Sequence, residues 1–539
     1  MAAGVESEGS TMSITRTHVL TIALAIGAAF GVRAFEVFQG PTELIQHDPA
    51  RAFAGYTIFS PFRGQNTYLI DMQGEVVHYW PYPEGWSIPG SESIEKHARL
   101  LEDGTLLRGV VNKAGRGGMS GAIYQLVDWD GDVVWEHDDE RPEFTPHHDF
   151  RMIWNPELEE RTLMYTATMA ITHEQTIAAG VDPAGRVDIA SRPDGLVEVD
   201  MNGNVIWQWN ISDHTVQDVN PDLANFGVVS ENPGKFDPNF GNGVGGDWIH
   251  ANGFDFNSVL DHVVINNSAD SEFYVIDHGA TFVPGDPEES IAMAASDAGD
   301  FIFRWGNPCV YDSGDCPSAT DEGQSSTDGH QQVFFSHDIQ WIREREVGPY
   351  LGELRGSGNF LIFDNGARRL GPTFSSVIEL DPYAGPMEDG EYIPEADAGY
   401  VAPTGGMGMG MGAAATISKQ IVWSYRPTLP NAFYSSYISG VQRLPNGNTL
   451  VCSGAHGHLF EITTDGEIVW EYISPVGDRT GDEYGIYTTM TADAGRAFNS
   501  IFKCARYAPD YPGLAGKDLT PMGQITELFT HEAARPSND

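Results

Sequence analysis

Cysteine is scarce in this sequence, and so are basic residues and long apolar runs. Its 539 residues include four cysteines, and none of them stands in the C-x-x-C spacing of structural zinc sites. Cys309 and Cys316 are close enough in sequence to form a disulfide, whereas Cys452 and Cys504 are predicted to be buried thiols. No metal site and no cofactor is therefore predicted.

The shortage of basic residues bears directly on function. The chain has 30 Lys and Arg residues against 76 Asp and Glu residues, and its formal net charge is −46. A surface that binds nucleic acid must neutralise phosphates with Lys and Arg. The sequence therefore argues against a nucleic-acid partner, and its acidity is typical of a protein kept soluble by its own charge.

The sequence has one apolar run of note, residues 19–32, between Arg16 and Arg33. A membrane-spanning helix needs about 20 apolar residues, so this shorter run favours a signal peptide within residues 1–36. An uncleaved signal anchor through residues 19–32 and a buried helix are the alternatives. We expect an exported protein that is periplasmic, extracellular or anchored to the membrane and facing outside.

Gly and Pro are plentiful, with 61 and 32 residues, and they punctuate a repeat of two short strands joined by a Gly turn. D-G and N-G turns between alternating apolar residues predict hairpins. Six such units occur, and the last strand of each carries a Trp that we expect to pack between repeats: Trp80, Trp135, Trp209, Trp305, Trp423 and Trp470.

A second strand–turn–strand element alternates with these hairpins. It occurs five times, at residues 97–111, 147–167, 249–268, 336–366 and 439–454. The sixth copy is predicted to come from residues 499–529, pairing beside the hairpin at 68–80. The sequence therefore predicts an all-β fold, a six-bladed β-propeller over residues 37–539 closed by pairing of its terminal segments and preceded by a short hydrophobic helix.

Polar residues stand at the start of the predicted inner strands, where a propeller opens into its channel. They are His97, then His147 with His148, then His250 with Asn252, then His337 with Asp338, while the fifth element offers Tyr434 and Ser436 in "YSSYIS". Converging histidines can bind a metal, or they can act as nucleophile and general acid or base.

Arginines favour the second alternative. Arg368 and Arg369 follow an Asn-Gly turn in "FDNGARRL", and a guanidinium beside a histidine is suited to hold an anion. Arg443 and Arg506 also lie in the repeat elements. We expect these arginines to focus an anionic substrate within an otherwise acidic protein.

Several long motifs resemble the bacterial arylsulfate sulfotransferase family. They include "DWIHANGFDFNSVLDHVVINNS", "FSHDIQWI", "GNFLIFDNGARR" and "SGVQRLPNGNTLVCSG", and the resemblance spans roughly residues 55–530. It implies an exported six-bladed propeller that moves a sulfuryl group from an organic sulfate to a phenolic or hydroxyl acceptor through a channel histidine, without a nucleotide sulfate donor.

The resemblance implies that His250, His337 and Arg368 are catalytic. The candidate substrate-binding residues are Asn252, His148, Asp338, Arg369, Tyr434, Ser436, Arg443 and Arg506. One departure stands out, because enterobacterial-type members carry their sulfuryl-accepting histidine in the blade that here contains "YSSYIS". A non-catalytic binding or assembly module and a metal-dependent propeller enzyme therefore stay open as alternatives.

Overall fold

Hairpin turns of one type recur along the computed structural model of this protein. Oδ1 of Asp71 accepts hydrogen bonds from the backbone N–H groups of Gln73 and Glu75, and Gly74 completes the turn with a φ of 77°. Asp128 and Asp200 form the same turn in the next two repeats. Each turn joins two strands of one sheet, as the Gly turns of the repeat predict.

The structure describes the chain in segments. They are residues 40–62, 64–82, 97–111, 122–184, 191–241, 244, 246–319, 326–343, 354–384, 391–401, 416–426, 432–478, 484–486, 489–490 and 499–529. The predicted hydrophobic helix within residues 1–36, including the 19–32 run, lies outside them. In the part that is described, no helix is both long enough and apolar enough to cross a membrane.

Six antiparallel sheets form the blades, and the strands of each follow one another in meander order. From the innermost strand outward, blade one consists of Ile501–Tyr507, Tyr56–Pro61, Asn66–Ile70 and Val76–Pro81, and blade two of Ala98–Leu100, Leu106–Val111, Ala122–Val127 and Val133–Asp138. Blade three consists of Phe144–Asn155, Glu160–Met169, Asp194–Val199 and Val205–Asn210, and blade four of Phe254–Asn257, His262–Asn267, Glu272–Asp277 and Phe301–Trp305. Blade five consists of His337–Trp341, Phe360–Asp364, Ser376–Leu380 and Ile421–Tyr425, and blade six of Gly440–Arg443, Thr449–Ser453, His458–Ile462 and Ile468–Ile473. The six-bladed propeller is confirmed.

Smaller elements lie in the segments that connect these strands. Four short strand pairs are Gly40–Pro41 with Thr489–Met490, Ser318–Ala319 with Ser326–Thr327, Tyr400–Val401 with Ile417–Ser418, and Val476–Asp478 with Tyr484–Ile486. The α-helices are His173–Ala178, Pro287–Ala294, Glu395–Ala398 and Ile525–Leu528, and the 3₁₀ turns are Ile211–Asp213, Val229–Glu231, Asp297–Gly299, Pro308–Tyr311, Gly454–His456 and Pro512–Leu514. Cys309 and Cys316 are joined in a disulfide, and Cys452 and Cys504 are free.

The ring closes at both ends of the chain. The C-terminal strand is the innermost strand of blade one, where Arg506 pairs with Thr57, so the predicted pairing of terminal segments is confirmed. A second closure was not predicted: Glu43–His47 adds a fifth, outermost strand to blade six. Residues 43–47 and 501–507 are therefore each held by sheet hydrogen bonds to a strand from the other end of the described chain.

Tryptophans pack between neighbouring blades, as the repeat suggests. The indole N–H of Trp80 donates to the main-chain oxygen of Asp128 in blade two, and that of Trp470 donates to Met72 in blade one. Trp135, Trp209 and Trp423 make equivalent bonds to the following blade. Each of these side chains thus joins two blades, and loss of a buried one typically costs about 3–5 kcal/mol.

Candidate active site in the channel

A buried ion cluster lies on the propeller axis. Nζ of Lys503, from blade one, is 2.7 Å from Oδ2 of Asp149 and 2.8 Å from Oδ1 of Asp338. Two glycines approach Asp338, one just before the inner strand of blade four and one at the start of the inner strand of blade six. A Cβ on Gly253 would lie 3.3 Å from the Asp338 nitrogen, and one on Gly440 would lie 2.8 Å from Asp338 Oδ2. The glycines therefore leave room for Asp338, and Gly440 also leaves room for the Lys503 side chain.

The charges in this cluster neutralise one another. Burial would raise the pKa of Asp149, but the nearby charges of Lys503 and Arg151 outweigh it and hold that pKa well below its usual value. Arg151 also pairs with Asp255 at 3.1 Å. Since Asp338 and Lys503 are committed to each other, the predicted substrate-binding role of Asp338 has no support in its contacts.

Two histidines meet beside the cluster. The rings of His148 and His250 stand edge to face, with centroids 4.7 Å apart and planes at 78°. Both residues have left-handed backbone conformations, with φ of 55° and 49°. Such conformations cost about 1–3 kcal/mol in residues other than glycine and cluster at functional sites.

The hydrogen bonds of His148 determine its tautomer. Nε2 of His147 lies 3.4 Å from Oδ1 of Asp194, which places the proton of a neutral His147 on that nitrogen and leaves its Nδ1 as an acceptor. Nδ1 of His148 lies 2.7 Å from Nδ1 of His147 and must then carry the donated proton. Nε2 of His148 is left with a lone pair that no described residue engages.

The environment also keeps His148 neutral. Burial, followed by the electrostatic influence of His250 and of the neighbouring His147 ring, lowers the pKa of His148 well below its usual value. A neutral imidazole with a free lone pair is a nucleophile at neutral pH. His148 was predicted only to bind substrate, and the geometry suits it for a more direct role.

His250 is in the opposite state. Its Nδ1 donates to Oδ2 of Asp247 over 2.6 Å, and its backbone N–H donates to Oδ1 of Asp247 over 3.1 Å. Burial would lower the pKa of His250, but the hydrogen bond and charge of Asp247 outweigh it and raise that pKa. With 34% of its side chain exposed, His250 is suited to exchange a proton with a substrate in the channel.

Asp194 links the two histidine groups. Besides facing His147, its carboxylate accepts the backbone N–H groups of Ile249 and Ala251 on either side of His250, at 3.1 and 2.9 Å. Burial, followed by the charge of Asp247, raises the pKa of Asp194. One buried carboxylate therefore orients His147 and also fixes the loop that presents His250.

His337 has no free ring nitrogen. Its Nδ1 donates to Oδ1 of Asn365 over 2.6 Å, because the Asn365 amide nitrogen is itself donating to the main-chain oxygens of Ser435 and Ile438. Nε2 of His337 accepts the N–H of Ile438 over 3.1 Å. Burial chiefly lowers the pKa of His337 to about 3. These contacts favour a structural role over the catalytic role predicted for it.

Arg368 lies next to His250 at the exposed side of the site. Its guanidinium stands 4.4 Å from the ring centre of Phe335 and donates to the main-chain oxygen of Ala269 over 3.0 Å. The same Phe335 ring lies 6.1 Å from the His250 ring, with planes 20° apart. Further N–H donors of Arg368 remain to bind an anion beside His250.

Three further residues were predicted to bind substrate: Asn252, Tyr434 and Ser436. Asn252 is buried, donating to Ser336 and accepting from Asn266, and it braces the inner strands. Tyr434 is half-buried and Ser436 is exposed.

Three arginines predicted to bind substrate are instead engaged by carboxylates. Arg369 pairs with Asp328 and Asp364, Arg443 with Glu379, and Arg506 with Glu461. The last two pairs join neighbouring blades, because Arg443 and Glu379 lie in blades six and five, and Arg506 and Glu461 in blades one and six. The structure thus places Arg443 and Arg506 away from the two histidines, in bonds between blades.

Sequence reasoning missed Asp194, Asp247, Lys503 and Asn365. For Asp247 a signal existed, since "DWIH" places a carboxylate three residues before His250. Asp194 and Lys503 gave none, because Asp194 reaches His147 from another strand of blade three and Lys503 reaches the site from blade one. Their roles depend on which residues of neighbouring strands and blades face one another, and the sequence alone does not show that.

The family comparison bears on this site. Residues 63–283 match the family described as Arylsulfotransferase (ASST). That segment is similar to the arylsulfotransferase family. The resemblance seen in the sequence is confirmed, and the arylsulfotransferase segment includes His148, Asp194, Asp247 and His250. The match over residues 63–283 supports an aryl sulfotransferase type of function in general.

Solved structures similar to this chain are distant. A protein of unknown function from Bacteroides caccae has 10% identity, covers 84% of this chain and 98% of its own, and gives a TM-score of 0.36. A streptogramin B lyase has 8% identity, with 88% and 96% covered and a TM-score of 0.32, and the periplasmic gluconolactonase of Pseudomonas aeruginosa has 10% identity, with 84% and 99% covered and 0.31. No curated protein matches the chain.

Proposed function

We propose that this protein transfers a sulfuryl group from an aryl or other organic sulfate to a phenolic or hydroxyl acceptor, without a nucleotide sulfate donor. The family match supports the reaction type. The mechanism is carried by one observation, the contact between His148 and His250, whose surroundings shift their pKa values in opposite directions. Such a divergence assigns a nucleophile and an acid.

In the first half of the reaction, the Nε2 lone pair of His148 attacks the sulfur of the sulfate ester. The N–S bond forms as the bond between sulfur and the phenolic oxygen breaks. The leaving phenoxide takes the Nε2 proton of His250, whose Nδ1–H stays bonded to Asp247. Protonating the leaving group in this way typically contributes about 10²–10⁴ in rate.

In the second half, an acceptor hydroxyl occupies the place of the departed phenol. Nε2 of neutral His250 removes its proton, the acceptor oxygen bonds to sulfur, and the N–S bond to His148 breaks. The enzyme returns to its starting state, and no other reactant is consumed.

Arg368 supplies binding and charge stabilisation. Its guanidinium and the His250 ring both lie against Phe335, and we place the sulfuryl oxygens of a bound ester between them. The ester is an anion in a protein of net charge −46, so a local cation is needed to hold it. Phe335, against which Arg368 stacks, offers an aromatic face to the aryl group of the donor.

Export is part of this proposal. The Cys309–Cys316 disulfide supports it, because such bonds persist in oxidising compartments. The metal-dependent alternative finds no support in the described residues, where no group of three or more His, Cys, Asp or Glu side chains is arranged to hold an ion. No observation favours the purely binding alternative.

The test is incubation with a chromogenic aryl sulfate, with and without a phenol acceptor, followed by intact-mass measurement and peptide mapping. Wild-type protein should release the chromogenic phenol and gain the mass of one SO₃ group on His148. His148→Asn should form no adduct. His337→Asn should still form one where it remains folded, because neither nitrogen of His337 is available.

Three outcomes contradict the proposal. Absence of phenol release at every acceptor concentration excludes the reaction. An adduct mapped to His250 or His337 excludes the assignment of His148 as nucleophile. Unchanged adduct formation in His148→Asn does the same.

A further inference from the structure

Behind the two reacting histidines lies a buried chain of hydrogen-bonding groups. Nδ1 of His148 contacts Nδ1 of His147 over 2.7 Å, and Nε2 of His147 faces Oδ1 of Asp194 over 3.4 Å. His147 is 1% exposed and Asp194 is fully buried. Asp194 is the carboxylate that pairs with Nε2 of His147 among the described residues.

The chemistry of His148 gives this chain a task. When Nε2 forms a bond to sulfur, the ring acquires a positive charge in a buried site that already holds Lys503 and neighbouring imidazoles. Burying another unpaired charge is costly. The charge is removed from the ring if its Nδ1 proton moves to a base, and the one base in contact with that proton among the described residues is Nδ1 of His147.

We propose that His147 and Asp194 act as positioning residues that receive the Nδ1 proton of His148 as its Nε2 is sulfurylated. This inference rests on the proposed function. The proton passes from His148 Nδ1 to His147 Nδ1, so that the intermediate is an N-sulfoimidazole, with a neutral ring and the negative charge on its SO₃ group, beside an imidazolium. Nε2–H of that imidazolium faces the carboxylate of Asp194. In the second half-reaction the proton returns as the N–S bond breaks.

Asp194 also positions His250. It holds the backbone on both sides of His250 through Ile249 and Ala251, and its charge acts on Asp247, the partner of His250. The nucleophile and the acid are therefore oriented by two carboxylates, Asp194 and Asp247, that interact electrostatically.

The test is His147→Asn, whose amide can accept the Nδ1–H of His148 but cannot take its proton. Sulfuryl uptake in a single turnover should slow by about 100-fold, the range of a lost acid–base group, while KM for a chromogenic aryl sulfate stays within about twofold because Arg368 is intact. The groups facing His148 are His147, His250, His337 and Lys503. Because His147 is one of the groups that lower the pKa of His148, its loss should raise that pKa and move the acid limb of the uptake rate to higher pH.

His97→Asn is the matched control. His97 is equally buried and its Nε2 lies 3.3 Å from Asp149, but it does not contact His148. Its uptake rate and acid limb should equal those of the wild type. Asp194→Asn should resemble His147→Asn in rate, and a melting temperature for each variant separates loss of folding from loss of rate.

The inference is overturned if His147→Asn takes up the sulfuryl group at the wild-type rate and its acid limb does not move. That result leaves the proposed function intact. An equal loss in His97→Asn also overturns it, since the effect would then be general to the packing. No adduct in the wild type overturns the proposed function itself.

Discussion

The His148 and His250 rings meet edge to face at 4.7 Å, yet each is held by a different carboxylate. His250 bonds directly to Asp247, whereas His148 reaches Asp194 only through His147. Direct contact with a carboxylate favours the protonated ring, and contact with a neutral imidazole does not. Two identical side chains side by side are thereby prepared for opposite roles.

Replacing Asp247 should alter the acid without altering the nucleophile. Asp247→Asn removes the hydrogen bond and charge that raise the pKa of His250, so the alkaline limb of kcat against pH should move to lower pH. Transfer should fall by about 10²-fold at mildly alkaline pH. The measurement is the pH profile of phenol release with a fixed acceptor.

Asp300→Asn is the control for that profile. Asp300 bonds to His214 over 2.9 Å, an Asp–His pair of the same kind in the segments joining the outer strands of blades three and four. Its alkaline limb should match that of the wild type. If the limb stays in place in Asp247→Asn, His250 is not the acid.

Much of the fold followed from local chemistry. Turn residues such as Gly74 and Gly203 need a left-handed φ that glycine adopts at little cost. Trp80 and Trp470, which end their repeats, pack between blades as expected from the sequence. The added strand Glu43–His47 was missed because its half-buried side chains carry little of a strand's alternation. Its position depends on the exposed edge of blade six.

The site was less accessible to sequence reasoning. The positions of His148, His250 and Arg368 near the channel followed from repeat register. Their roles did not, because a role depends on the partner of each ring nitrogen. His337 and His148 stand alike before an aspartate in sequence, and only the contacts with Asn365 and Ile438 show that one of them is saturated.

Arg443 should prove to be a stabilising residue. Arg443→Met would leave Glu379 buried without its partner at 2.7 Å, and breaking a buried ion pair on one side typically costs about 3–5 kcal/mol. Adding Glu379→Leu should recover much of that loss, since no charge is then left uncompensated. Urea unfolding of the single and double variants measures the coupling.

The exposed pair of Arg161 and Asp103 provides the comparison for Arg443. Its atoms are closer, at 2.6 Å, but both side chains are well exposed, so Arg161→Met should cost less than about 1 kcal/mol. KM for the aryl sulfate should be unchanged in both arginine variants. A raised KM with normal stability in Arg443→Met would restore the substrate-binding role expected from the sequence.

His278 should make the stability of the propeller depend on pH. It is fully buried between Glu198 and Asp261, with ring nitrogens 2.9 and 2.7 Å from their carboxylates. Burial opposes protonation, but hydrogen bonds to Asp261 and Glu198 raise the pKa of His278 to about 9. Since the unfolded value is about 6.5, the stabilisation is complete below that pH and is lost progressively as pH rises towards 9.

The full effect of that difference in pKa is about 3 kcal/mol. In His278→Gln, the free energy of unfolding in urea should therefore differ from that of the wild type most at about pH 6. The difference should shrink by about 3 kcal/mol above pH 9. The exposed His173 is the control, and His173→Gln should show no such trend. A difference that stays constant across this range would show that His278 is neutral in the folded protein, and that Glu198 and Asp261 do not hold a charged partner between blades three and four.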